Sequence, residues 1–209
     1  MIDNNMQPAR RAFATELNSA TDQVQADEER APIFSLLPTG AKANRVFVVG
    51  TLTEVEDTSN DPNSEYLRAR VVDSTGTFFA YAGQYQPEAA NFLREADTPM
   101  YVAMKAKVKT YETDDGEVNV SLRPEEIAEV TGEDRDRWVI ETAQRTLSRI
   151  DAYANGDTVD GSDASLYRYG DDLDAYRQSA IEALEEVHGA QVEAEKAAVE
   201  DSEEAEVSA

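Results

Sequence analysis

Between Arg45 and Ile127 apolar residues recur at every second position, the period of a strand with one buried and one wet face. In Tyr66 to Asp73 one parity reads Tyr66, Arg68, Arg70, Val72 and the other reads Leu67, Ala69, Val71, Asp73. Tyr101 to Tyr111 repeats the pattern, with Lys105, Lys107, Lys109 and Tyr111 on one side and Val102, Met104, Ala106 and Val108 on the other. The spacing predicts strands over Arg45 to Glu56, Tyr66 to Asp73, Thr77 to Gly83, Met100 to Tyr111 and Glu117 to Arg123. Asp57 to Ser64 is turn-rich, Ser74-Thr75-Gly76 makes a tight connection, and Asp114-Asp115-Gly116 holds the Asp-Gly pair of a hairpin. A short helix, Pro87 to Arg94, stands between the third and fourth strands, with Pro87 at its start.

The order β-β-β-α-β-β is that of the five-stranded oligonucleotide-binding (OB) barrel, a meander, a plugging helix and a closing hairpin. A small sandwich is the rival. The position of the helix favours the barrel, as do Gly50, Ala69, Ala80, Ala82 and Ala106, which suit a narrow interior. The fold class read from the chain is therefore mainly β, with an N-terminal lead-in helix and C-terminal amphipathic helices.

The flanks divide as follows. Residues 1–30 carry a helix from Pro8 to Ser19 and an acidic linker, and 31–130 form the barrel, entered through the apolar, proline-marked stretch Pro32 to Pro38. Residues 131–154 form a helix with Val139, Ala143, Thr146, Leu147 and Ile150 on one face, and 155–165 form a linker. Residues 166–209 form an amphipathic stretch interrupted by Gly170 and then an acidic tail.

Composition changes this picture in one respect. The 209 residues include 43 acidic and 19 basic ones, a formal net charge of -24, and only five lysines. Such a sum makes a compact fold repel itself at low ionic strength, so the chain suits concentrated salt and the cytoplasm of an extreme halophile. Disorder is the alternative for so acidic a chain, but regular alternation, nine tyrosines and six phenylalanines oppose it across the middle. The chain has no cysteine, which excludes a disulfide frame, a thiolate nucleophile and Cys-ligated zinc and leaves the redox compartment unread. No apolar run reaches bilayer length and the first residues hold no hydrophobic signal core, so the expectation is a soluble, cytoplasmic protein.

Basic charge is concentrated in the barrel: 9 basic residues meet 13 acidic ones between Lys42 and Arg123, against 10 and 30 elsewhere. The wet parity assembles Arg45, Phe47, Arg68, Arg70, Phe79, Tyr81, Lys105, Lys107, Lys109 and Tyr111. Cations interleaved with aromatics are what a single-stranded nucleic acid needs, charge for its backbone and rings for its unpaired bases. Alternating cations also guard any exposed strand edge, and Phe47, Phe79 and Tyr81 read as core residues unless the neighbouring cations share their face. Against binding stand the acidic loops at the barrel rims, with Asp57, Asp61 and Glu65 in one and Glu112, Asp114, Asp115 and Glu117 in the other.

Chemistry of other kinds has little support. His188, the single histidine, has no metal-like spacing. There is no phosphate-binding glycine loop and no nucleophile elbow. The expectation is a protein that is not an enzyme, with no cofactor, no metal, no membrane partner and no small-molecule substrate. Trp138 reads as an anchor onto the barrel, while Leu166, Leu173, Tyr176 and Leu184 form an amphipathic face that a protein partner would use.

The segments LPTGAKANRVFVVGTLTE (Leu37 to Glu54), RARVVDSTGTFFAYAGQYQPEAANFLR (Arg68 to Arg94), TYETDDGEVNVSLRPE (Thr110 to Glu125) and DRWVIETAQRTL (Asp136 to Leu147) resemble the haloarchaeal replication protein A-associated proteins. The resemblance covers roughly Ala31 to Tyr153. It implies an OB fold working with a replication protein A subunit on single-stranded DNA in replication and repair. The alternative is a protein-interaction subunit that stabilises such a partner without touching DNA. No individual functional residue is carried over from the family.

Overall fold

The alternating segments close on themselves. In the computed structural model, residues 8–25, 31–61, 64–157 and 161–207 are described, with side chains as far as residue 193. Parts of the acidic linker within 1–30 and the side chains of the C-terminal tail lie outside the described residues. The elements are α1 (Ala14–Asn18), β1 (Gln23–Val24), β2 (Phe34–Leu36), β3 (Lys42–Ala43), β4 (Arg45–Asp57), β5 (Leu67–Asp73), β6 (Gly76–Ala82), α2 (Pro87–Glu95), β7 (Met100–Glu112), β8 (Val118–Glu129), α3 (Gly132–Ala154), α4 (Ser162–Tyr169) and α5 (Asp174–Val207).

The barrel runs β4-β5-β6-β8-β7 and returns to β4. All neighbours are antiparallel except β6 and β8, which meet in parallel at Ala80 and Leu122. This is the OB order, and closure through β4, which pairs with both β5 and β7, rules out the sandwich. One parity of every strand is buried, including Val48, Ala69, Ala80 and Ala106 at 0% exposure. At Gly50 a Cβ would lie 2.5 Å from the Val72 carbonyl oxygen, so only glycine lets β4 pass β5 this closely.

α2 plugs one end of the barrel with Ala89, Ala90 and Leu93. α3 begins at a capping box in which Thr131 and Asp134 each accept the other's backbone N–H, and it lays Trp138 on the outside of β4. The Trp138 indole donates to the Phe47 carbonyl at 2.9 Å and meets the Phe13 ring edge-on. α5 then packs along α3 through Ala180, Ala183 and Val187.

Three boundaries differ from expectation. The helix read over Pro8 to Ser19 starts only at Ala14, because Arg10 bonds to the open edge of β4 through the Arg45 carbonyl and the Phe47 N–H. Strand β8 runs on past Arg123 to Glu129, because a bulge opposite Lys105 and Ala106 absorbs Pro124 and leaves Glu125 as the extra residue. The linker read over 155–165 ends early: α4 starts at Ser162, and the buried Ser165 hydroxyl bonds the Leu37 and Pro38 carbonyls.

The N-terminal helix is fastened at both ends. Asp73 accepts the Ala14, Thr75 and Gly76 N–H groups, closing the β5–β6 turn and capping α1 at once. Burial pushes its carboxyl above the usual range against the pull of those hydrogen bonds. On the other side Glu16, 1% exposed, accepts from Thr39 and pairs with Arg149 of α3 at 2.8 Å, while Arg149 also donates to the Thr39 hydroxyl at 2.7 Å. Arg149→Met leaves the buried Glu16 charge unpaired and should cost about 3 kcal/mol or more. Calorimetry should show a large drop in melting temperature, partly restored when Glu16→Gln is added; additive losses would contradict the coupling.

Candidate nucleic-acid interface

Strand register decides which outward side chains become neighbours. Arg68 faces Tyr81 across β5 and β6, the parallel β6–β8 contact brings Tyr81 beside Arg123, Arg123 faces Lys107, and Lys107 faces Arg45. One row of four cations and an aromatic thus crosses all five strands. A second row places Arg70 opposite Phe79, next to Ser121 and Lys109. Tyr111 lies opposite Asn119 beyond it.

Within these rows the cations fall into two groups. Arg45 pairs with Glu125 at 2.6 Å, Lys107 reaches the same carboxylate at 3.6 Å, Arg68 pairs with Glu56 and Lys105 with Glu126. Arg70, Arg123 and Lys109 take no carboxylate among the described residues. Arg70 meets only the Thr53 hydroxyl, and Arg123 bonds the Ser121 hydroxyl and the Leu122 carbonyl. Ser121 carries the outward parity yet is buried, with Phe79 beside it on β6, Lys109 opposite it on β7 and Arg123 bonded to its hydroxyl.

Aromatic rings take the place of carboxylates beside Arg123. Its guanidinium lies 5.0 Å from the centre of the Tyr81 ring and 5.8 Å from that of Tyr66, and the two rings stack at 5.6 Å with an interplanar angle of 23°. Arg68 lies over Phe79 at 5.7 Å, and Phe79 and Tyr111 stay exposed at 38% and 48%. Neither Tyr66 nor Arg123 stands in the candidate set read from strand parity. Tyr66 falls just ahead of β5, and Arg123 is the last residue of the strand that the spacing predicts, although both carry the same outward parity.

The remaining candidates sit elsewhere. Phe47 points outward but is covered: Arg11 lies over its ring at 4.9 Å, so it packs inside the chain and leaves the exposed set. Among the residues read as a partner face, Leu173, just ahead of α5, is buried at 6% exposure, and Leu184 packs against the core, because α5 turns its apolar side onto α3 and α1. Tyr176 is half-buried, and Leu166 is exposed beside the more exposed Tyr167.

The acidic rims also separate into two kinds. Asp57 accepts the Ser59 and Tyr66 N–H groups, which hold its carboxyl below the usual range, and Glu65 is engaged by Arg94, with the same effect on its carboxyl. In the β7–β8 turn, Gly116 takes a left-handed conformation (φ 82°), and the carboxylates of Glu112, Asp114, Asp115 and Glu117 meet no cation among the described residues. Phosphate is therefore repelled at the β7–β8 rim more than at the β4–β5 rim. Among the described residues no group of acidic or histidine side chains could hold a metal, and no helix is long and apolar enough to cross a membrane.

Glu125 is the electrostatic hinge of the row. The Arg45 hydrogen bond holds its carboxyl below the ordinary glutamate range against partial burial, with help from Lys107 and Lys105, and raises Arg45 in turn. A carboxyl depressed on folding stabilises the fold above its unfolded value and loses that contribution as pH falls through the folded one. Acid titration of stability should be flatter in Glu125→Gln than in the parent, with the two converging at low pH. Parallel profiles in thermal melts would contradict the pairing.

Several solved structures are similar to this chain in their backbone path. The mitochondrial single-stranded DNA binding protein Rim1 from S. cerevisiae matches at 22% identity and a TM-score of 0.33, over 42% of this chain and 93% of its own. The single-stranded DNA binding protein of Thermus aquaticus matches at 15% identity and 0.34, over 44% of this chain and 52% of its own. An OBody bound to hen egg-white lysozyme matches at 14% and 0.40, over 60% and 93%. No family model matches the sequence, and no curated protein matches it.

Proposed function

We propose that this chain is a single-stranded DNA-binding accessory subunit that works beside a replication protein A subunit and performs no catalysis of its own. The observation that carries the reading is the pair of outward rows, where Arg70, Arg123 and Lys109 lack carboxylate partners among the described residues and stand among Phe79, Tyr81 and Tyr66. Rings on an open strand face stack on bases only where those bases are unpaired, each contributing ~1 to 3 kcal/mol. That chemistry favours a single strand over a duplex.

Concentrated salt sharpens the requirement. At ~1 M ionic strength the Debye length is ~3 Å, so steering by net charge is suppressed and direct contact decides affinity. A chain of net charge -24 is then compatible with a polyanionic ligand, provided the contacts are short and partly aromatic. The partner rests on the resemblance to the replication protein A-associated proteins. Two features support it: the unneutralised acids of the β7–β8 turn, which favour a site shared with another subunit, and exposed Leu166 and Tyr167 on α4.

Fluorescence anisotropy with an oligothymidylate in about 2 M potassium chloride tests both parts. Arg70→Ala combined with Arg123→Ala removes two charged contacts and should weaken binding at least about tenfold, with melting unchanged and any co-purifying subunit retained. Leu166→Ser with Tyr167→Ala should do the reverse. Unchanged DNA affinity in the arginine variant would refute the DNA-binding surface, and an unaltered complex in the α4 variant would refute that docking face.

A further inference from the structure

Two clefts meet at one side chain below the barrel face. Between β6 and α2 the chain makes a tight turn in which the Gln86 N–H donates to the Gly83 carbonyl at 2.9 Å, and Pro87 opens the helix. Tyr85 projects from this turn, 83% exposed, with no ring contact or hydrogen bond among the described residues. On one side lies a cleft of about 530 Å³ walled by Tyr66, Gln84, Asn91 and Arg94. On the other lies one of about 560 Å³ walled by Gln86, Lys105, Lys107 and Arg45, together with Glu88, Glu125 and Glu126. Tyr85 lines both.

The first cleft is joined to the barrel face by aromatic rings. Tyr66 stacks on Tyr81, which belongs to the central row, and also walls the cleft. Gly83 makes this junction possible: a Cβ there would lie 2.9 Å from the Tyr66 ring and 3.3 Å from the Glu65 carbonyl oxygen. Arg94 is occupied by Glu65 and Asn91, so the cleft offers little free charge. What it offers is the neutral amide of Gln84 and the amide N–H groups of Asn91, whose oxygen Arg94 holds, beside the rings of Tyr66 and Tyr85, the chemistry of a base edge and a base face. The second cleft leads back to the central row at Lys107 and Arg45.

We infer that Tyr85 is a stacking post for a nucleobase, and that the cleft between it and Tyr66 is a second base subsite that takes a strand leaving the barrel face over Tyr81. This rests on the reading of the barrel face as a single-strand surface. It lengthens the site along the strand and adds a contact made through stacking and neutral hydrogen bonds, which molar salt does not screen.

The test compares oligothymidylates on the order of four and of twelve nucleotides, within the span covered by single OB folds, in about 2 M potassium chloride. Tyr85→Ala should weaken binding of the longer strand by about 5- to 140-fold, the loss of one stacked base, and leave the shorter one unchanged. Tyr85→Phe should keep the parent affinity for both, because the ring and not the hydroxyl is used. An exposed side chain can be removed without cost to the fold, and equal melting temperatures check this. Equal losses for both lengths, or none for either, would overturn the subsite while Arg123→Ala still weakened binding. Failure of the parent to bind either strand would overturn the barrel-face reading and the subsite with it.

Discussion

Five strands close around this core only because β4 can pass within contact distance of β5, and at Gly50 that approach leaves no room for a side chain. A narrow interior admits Ala69, Ala80, Ala82 and Ala106 and excludes anything charged. Closure fixes parity in turn, since a slip of one residue would drive Arg68 and Lys107 inward and expose the core. The cations and rings of the outer face are therefore held in rows by the core beneath them. The buried Glu16–Arg149 pair and the Asp73 cap then seat α1 beside the barrel, and Arg10 closes the edge of β4 that no strand covers.

Under the proposed function, the outer face reconciles an acidic chain with an anionic ligand. Most of the ladder is already neutralised by neighbours, through Glu125, Glu126 and Glu56, and these pairs are partly exposed, so salt screens them. Arg123 is treated differently, because tyrosine rings occupy the positions where a carboxylate would sit. A guanidinium resting against two stacked rings, with Nη1 held by the neutral Ser121 hydroxyl and Leu122 carbonyl, keeps its charge uncompensated by a carboxylate and extends a flat surface on which a base could lie. Under the proposed function, that distinction between occupied and available cations separates the binding surface from an ordinary solvated face.

Much of this was legible in the alternation of the chain. Strand parity and the Pro87 helix are sufficient to place the barrel, and the outward set follows from them. Other features depend on contacts between distant parts of the chain. Phe47 has the right parity, but Arg11, from a segment that reads as helix, covers it. Glu16 and Arg149 are separated by 133 positions, and neither differs in sequence from a surface charge. Leu173 and Leu184 show a helical apolar face without showing which surface it meets, and the structure turns that face inward. Pro124 reads as a strand end because it lacks an N–H, yet a bulge carries β8 past it and swings Glu125 onto Arg45. Tyr85 lies outside every periodic segment; its one signal is a lone aromatic in a turn between glycine and proline.

Under the proposed function, a few cations that take no carboxylate among the described residues, together with open rings, hold a single strand where long-range charge is screened. The salt dependence of oligonucleotide affinity tests it most directly. With about three free cations, each contributing on the order of -0.7, the slope of log K against log salt should be close to -2. Binding should persist beyond ~1 M salt and favour the single strand over the matching duplex. A steep slope with binding lost below that concentration, or equal affinity for duplex and single strand, would contradict it.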